Sequence, residues 1–135
     1  MLPYARARAI VERVLARTAS DGGKPIAVAV VDDRGDLVAF ARQDGVTHRS
    51  LRIAQDKAYT SALQESSTKD FAEFLARTDR QASVFADPRY VALAGGVPIP
   101  GDGARPLGAV GVSGRTSDED HALASDAATD SSRKS

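Results

Sequence analysis

An apolar run near the start of the chain limits the possible folds more than any other feature. It reads Ile-Ala-Val-Ala-Val-Val over residues 26–31, and a short, unbroken, β-branched run is typical of a strand covered on both faces. A turn sequence, Asp-Asp-Arg-Gly, follows at residues 32–35, and residues 37–42 then predict the return strand of a hairpin. The chain is therefore expected to build an antiparallel sheet.

Helical periodicity predicts elements on either side of this hairpin. Apolar residues recur at helical spacing over about residues 3–20, 48–64 and 69–77, and Ser117 starts a final helix. Residues 90–114 are rich in Gly, Pro and Val and predict two or three short strands. Hairpins joined to helices in this order favour an α+β fold over repeated βαβ units.

The second predicted helix carries a stripe of small side chains. Leu51, Ala54, Ala58 and Ala62 recur along one face, so another backbone can approach that face closely.

In the final helix, Ser117 and the acid three residues later fit a loose capping box.

The length and the charge of the chain limit the class of protein that it can be. The chain has 135 residues, which predicts one domain over residues 1–130 and a polar tail at 131–135. Basic and acidic residues are equal at 18 each, so nothing favours nucleic acid or an anionic membrane as partner. The absence of Cys excludes disulfides and thiolate chemistry. The first residues lack a signal-peptide pattern, so the expected location is cytoplasmic.

Three sequence signatures occur in a fixed order along most of the chain. The first covers residues 25–32 and continues through Gly35, residues 41–45, Ser50, Ala54 and residues 57–60; the second covers residues 95–99 and 107–114; the third is Asp120. Each piece alone is unspecific, but the set resembles the GlcG/HbpS-like haem-binding family, which includes the C-terminal domain of PduO-type proteins.

The resemblance carries expectations about fold and function. It implies a profilin-like, three-layer α/β/α fold with a central antiparallel sheet, and a homo-oligomer. It implies a small-molecule ligand, with haem or a related tetrapyrrole as the cofactor type. The resemblance also leaves open an enzyme that acts on a small organic acid.

Lys57 is the titratable residue of most interest. Ser50, Lys57 and Ser61 fall on one stripe beside the small apolar face of the second helix. A Lys there would be partly desolvated, which lowers its pKa and suits it to anion binding or to general-base catalysis. The alternative is a side chain whose stem packs on the helix while its ammonium reaches solvent.

Other candidates surround Lys57 in the sequence. The Gly95-Gly96 pair before Pro98 could hold an anion with backbone N–H groups, or mark a strand break. Arg42 could clamp a carboxylate, or pair with Asp44 to hold a turn. The predicted ligand-binding residues are Arg42, Asp44, Ser50, Lys57, Gly95, Gly96, Pro98 and Ser113.

Haem iron needs an axial ligand, which is usually His, Met, Cys or Tyr. The chain has two His residues, His48 at the start of the second helix and His121 in the first turn of the last. Each is a candidate iron or metal ligand, or an ordinary surface His.

These residues leave three functional hypotheses. The first is a small-ligand-binding protein whose family-implied ligand is haem or a related tetrapyrrole. The second is an enzyme acting on a small organic acid through a pocket formed by Lys57 and Arg42. The third is a structural or regulatory oligomer without a ligand.

Overall fold

A computed structural model describes residues 1–129. Within this range lie four helices, four strands and one short 3₁₀ turn at Ala82–Phe85. The helices are α1 (Tyr4–Thr18), α2 (His48–Gln64), α3 (Thr68–Arg77) and α4 (Ser117–Thr129), and the strands are β1 (Ala27–Asp32), β2 (Leu37–Arg42), β3 (Gly96–Ile99) and β4 (Gly108–Ser113). The predicted polar tail at 131–135, with residue 130 before it, lies outside the described residues.

The strands form one antiparallel sheet in the order β2-β1-β4-β3. Strand β1 lies inside the sheet, and residues 27–31 are all buried. Val30, for example, pairs with Ala39 on one side and with Val110 on the other. The prediction of a central antiparallel sheet is confirmed.

The alternating side chains of β1 bury two separate cores. Val28 and Val30 pack in a large apolar cluster with α1 and α4, whereas Ala27, Ala29 and Val31 pack on the opposite face with α2. The sheet therefore lies between two helical layers. This α+β arrangement agrees with the predicted three-layer α/β/α, profilin-like fold.

The backbone of helix α2 packs very close to the sheet. Its contact face consists of Ala54, Ala58 and Ala62, which are all buried. Opposite them, a Cβ added to Gly111 would lie 2.2 Å from the backbone oxygen of Ala54. The Ala-rich stripe thus does what its composition predicts, and a Gly in β4 completes the close approach.

The predicted capping box at the start of α4 is wrong by one residue. Thr116, just before the helix, accepts a hydrogen bond from the N–H of Glu119 at 3.2 Å, and Glu119 accepts one from the N–H of Thr116 at 3.1 Å. This is the reciprocal pattern of a capping box. Because Glu119 fills the capping role, the carboxylate of Asp120 is free to turn toward the sheet.

We expect Gly111→Ala to lower the free energy of unfolding by about 1–3 kcal/mol, because the added methyl forces α2 away from a well-packed sheet. Urea denaturation followed by circular dichroism measures the change. Gly103→Ala is the matched control, since an added Cβ there meets nothing within 4 Å. Equal stability of the two variants would contradict the close packing of α2.

Candidate functional site

Lys57 is a buried cation on α2. Its side chain is only 3% exposed, and its Nζ donates hydrogen bonds to the backbone oxygen of Val112 at 2.9 Å and to Oδ2 of Asp120 at 3.1 Å. Asp120 is itself 2% exposed. The alternative in which the ammonium of Lys57 reaches bulk solvent is therefore wrong, and Lys57 forms a buried ion pair that joins α2 to α4.

The Gly95-Gly96 pair makes room for Lys57. A Cβ on Gly95 would lie 2.7 Å from Nζ of Lys57, and one on Gly96 would lie 2.3 Å from the Lys57 backbone oxygen. The N–H of Gly96 donates to Oγ1 of Thr68 at 2.9 Å, so it is not available to an anion. The pair therefore allows close packing against Lys57, a role that was not predicted from the sequence, and the anion-holding prediction loses the Gly96 N–H.

Burial acts on both members of the ion pair. It lowers the pKa of Lys57 below the ordinary value, while the charge of Asp120 opposes that shift. It raises the pKa of Asp120 above the ordinary value, while Lys57 and the N–H of Arg115 oppose that shift. Each buried charge therefore depends on the other for its compensation.

A second ion pair fixes the turn that leads into α4. The guanidinium of Arg115 binds both carboxylate oxygens of Asp21, at 2.7 and 2.8 Å, and donates to the backbone oxygen of Lys24 at 2.8 Å. The backbone N–H of Arg115 donates to Oδ1 of Asp120 at 3.1 Å. The side chain of Arg115 thus anchors the turn, and its backbone helps to orient Asp120.

A cleft of about 380 Å³ opens over the buried pair, a volume within the range of small-molecule sites. It lies where the starts of α2 and α4 meet the end of β4. The lining residues are Lys24, Pro25, Gly45, Val46, Thr47, Arg49, Ser50, Ile53, Lys57, Leu93, Ser113, Gly114, Arg115, Ser117 and Asp120. The lining therefore combines cations, hydroxyls and a few apolar side chains.

The structure brings three predicted ligand-binding residues together at this cleft. They are Ser50, Lys57 and Ser113. Gly95 and Gly96 pack against Lys57 without lining the cleft. The stripe predicted on α2 and the end of the Gly-rich β4 thus converge, which is the part of the predicted site that the fold assembles.

Besides Gly95 and Gly96, five further predicted residues do not line the cleft: Arg42, Asp44, Pro98, His48 and His121. Arg42 is the last residue of β2 and Asp44 follows the strand; both are exposed, and no ion pair joins these two described residues. The hypothetical pocket formed by Lys57 and Arg42 is therefore not present. Pro98 lies within β3, His48 is exposed, and His121 is half-buried.

Sequence reasoning did not assign four charged residues to the cleft: Lys24, Arg49, Arg115 and Asp120. Lys24 and Arg49 line it but carry no motif that would separate them from other surface cations. Asp120 was expected to serve the N-terminus of α4 and instead pairs with Lys57. The available signal was a chemical one, because a buried Lys requires an acidic partner.

Two further structural features bear on function. Among residues 1–129, no group of three or more His, Cys, Asp or Glu side chains is arranged to hold a metal ion. No helix in the described part of the chain is both long enough and apolar enough to cross a membrane.

Comparison with known proteins gives consistent matches. The family model described as "Haem degrading protein HbpS-like" matches residues 2–129. The protein GlcG of Escherichia coli K12 is 42% identical over 88 residues, which is 65% of this chain and 63% of GlcG. The match thus spans less than two thirds of that relative.

Solved structures with the same fold include HbpS of Streptomyces reticuli, in a double-mutant form. It has a TM-score of 0.84 and 28% identity, covering 95% of this chain and 85% of that one. The structure described as a PduOC–haem complex has a TM-score of 0.83 and 20% identity, with 95% and 93% covered. At that identity the likeness to PduOC shows the fold alone.

We expect Asp120→Asn to lower the free energy of unfolding by about 3–5 kcal/mol, since it leaves the Lys57 ammonium buried without an anion. Asn can still accept the hydrogen bond from the N–H of Arg115. The double variant Lys57→Met/Asp120→Asn removes both charges, so it should cost less than the sum of the single variants. A double-mutant cycle in urea measures this, and strict additivity would contradict the ion pair.

Acid stability tests the Asp21–Arg115 pair. The hydrogen bonds from Arg115 lower the pKa of Asp21 from 3.8 to about 2 in the folded protein. The pair therefore stabilises the fold fully above pH 3.8, and this contribution is lost as the pH falls toward 2. We expect the stability difference between the native protein and Asp21→Asn to shrink over that interval.

The measurement is urea denaturation at a series of pH values, with the difference curve isolating Asp21 from other acids. Asp33→Asn is the control, because Asp33 is exposed and forms no ion pair with a described residue. A difference curve for Asp21→Asn that stays flat between pH 4 and 2 would disprove the assignment.

Proposed function

The chain belongs to the HbpS-like family, and on that premise we propose that it is a small-ligand-binding protein whose ligand is haem or a related tetrapyrrole. The observation that carries the proposal is the cleft over the Lys57–Asp120 pair. It is open to solvent, and two of its cations, Lys24 and Arg49, form no ion pair with any described residue. Such a rim suits the carboxylates that haem carries.

The residues of the cleft fit only part of a haem. The cationic rim suits its propionate groups, but the lining contains no His, Met, Cys or Tyr to bind the iron. An iron ligand must then come from outside the lining. His48 is the better candidate, since it is exposed and its chain neighbours Thr47 and Arg49 both line the cleft.

His121 is the second candidate for the iron. It is half-buried in α4, and its Nδ1 is buried without a hydrogen-bond partner among the described residues. A buried, unpaired ring nitrogen costs free energy, and a ligand or a change of partner would relieve that cost. His48 is the more accessible of the two, whereas His121 is the one that lacks a hydrogen bond.

The relatives support this proposal at the level of the family. The description of the matching family names haem degradation, and the PduOC structure is described as a complex with haem. Assembly into a homo-oligomer and a cytoplasmic location stay predictions that follow from the resemblance and the sequence.

A haemin titration followed by absorbance tests the proposal. We expect a saturable Soret shift at micromolar protein, lost in His48→Ala and retained in His121→Ala. Arg42→Ala serves as a surface control, because Arg42 is exposed and outside the cleft lining. No saturable shift in the native protein would overturn haem as the ligand, and loss only in His121→Ala would reassign the iron ligand.

A further inference from the structure

Four cationic side chains line the cleft, and only two of them have an acidic partner. Lys57 is compensated by Asp120, and Arg115 is compensated by Asp21. Lys24 and Arg49 also line the cleft, yet neither forms an ion pair with a described residue. The cleft therefore has uncompensated positive charge at its rim and a neutral ion pair at its base.

We propose that the cleft is a site for an organic carboxylate, held by Arg49 and Lys24 and by the hydroxyls of Ser50 and Ser113. This inference rests on the proposed function, that the cleft binds a small ligand, and it names the chemical group that is recognised. The fork of Arg49 matches a carboxylate in two-point fashion, while Lys24 supplies a point charge.

The two hydroxyls are placed to donate to such a group. Ser50 accepts a hydrogen bond from the hydroxyl of Thr47 at 3.1 Å, so its own O–H remains available. Ser113 is only 5% exposed and lines the cleft, and its hydroxyl makes no hydrogen bond to a described residue. Its oxygen is not among the fully buried atoms that lack a partner, so it faces the cleft and a ligand oxygen can reach it.

Three backbone N–H groups at or beside the cleft are already used, which leaves fewer of them for a phosphate. The N–H of Ser50 donates to Thr47, that of Arg115 to Asp120, and that of Thr116 to a Glu side chain. Phosphate sites typically rely on several such N–H groups. The proposed recognition of a carboxylate relies on side chains.

Apolar side chains complete the argument for an organic ligand. Val46, Ile53 and Leu93 line the same cleft, and Leu93 is 42% exposed. They offer contact to a carbon skeleton that an inorganic anion does not have. The carboxylate itself has two possible sources: a free small organic acid, or the propionate of a tetrapyrrole.

The first experiment compares haemin with haemin dimethyl ester, in which both carboxylates are masked. We expect the ester to bind about tenfold or more weakly, since it loses charge-assisted hydrogen bonds. Arg49→Ala and Lys24→Ala should remove most of this difference. Arg42→Ala and Lys69→Ala are matched controls, because both residues are exposed and outside the cleft lining, and they should leave it unchanged.

The second experiment uses calorimetry with benzoate, its neutral analogue benzamide, and inorganic phosphate. Saturable benzoate binding that is lost in Arg49→Ala, with no binding of benzamide, supports the inference with a free acid as source. Phosphate binding as tightly as benzoate would overturn it.

The two experiments separate the inference from the proposed function. Equal binding of haemin and its ester, together with no benzoate binding, would overturn the carboxylate site and leave haem binding intact. Absence of haemin binding, together with benzoate binding that depends on Arg49 and Lys24, would overturn haem as ligand and keep the carboxylate site.

Discussion

The close contact between α2 and the sheet sets the geometry of everything around it. Small side chains on α2, together with Gly111 in β4, let the helix backbone come within van der Waals distance of the strands. At that distance a long side chain on the contact face has no route to solvent along the interface. Lys57 is therefore carried into the interior, where its ammonium reaches the end of β4 and α4.

A buried ammonium then imposes conditions on the rest of the chain. It needs an anion, and the start of α4 supplies Asp120. That carboxylate is oriented by the N–H of Arg115, and the turn that carries Arg115 is anchored by Asp21, in the segment that follows α1. The cleft forms over this chain of contacts, so its base is hydrogen-bonded and electrically neutral while its rim stays positive.

The sequence predicts the elements better than it predicts the site, and the reason is the range of the interactions. Strand β1 and helix α2 follow from local patterns, apolar continuity in one and Ala spacing in the other, and both appear as expected. Lys57 could be singled out from its position on α2, but its burial depended on how close the sheet would come. Asp21 and Arg115 are 94 residues apart in the sequence, and no local pattern joins them. Arg42 was an attractive clamp because it ends a strand, yet the cleft opens elsewhere in the fold.

The glycines behind α2 have a bearing on how the family's sequences are interpreted. Gly96 and Gly111 do not line the cleft, but a single added carbon at either would collide with the backbone of α2. Selection for a stable fold alone would hold both positions to Gly across related chains. A ranking of positions by sequence invariance would therefore group these packing residues with the functional residues. Lys24 and Arg49 are not constrained by the fold, so they would be free to differ between members that bind different ligands.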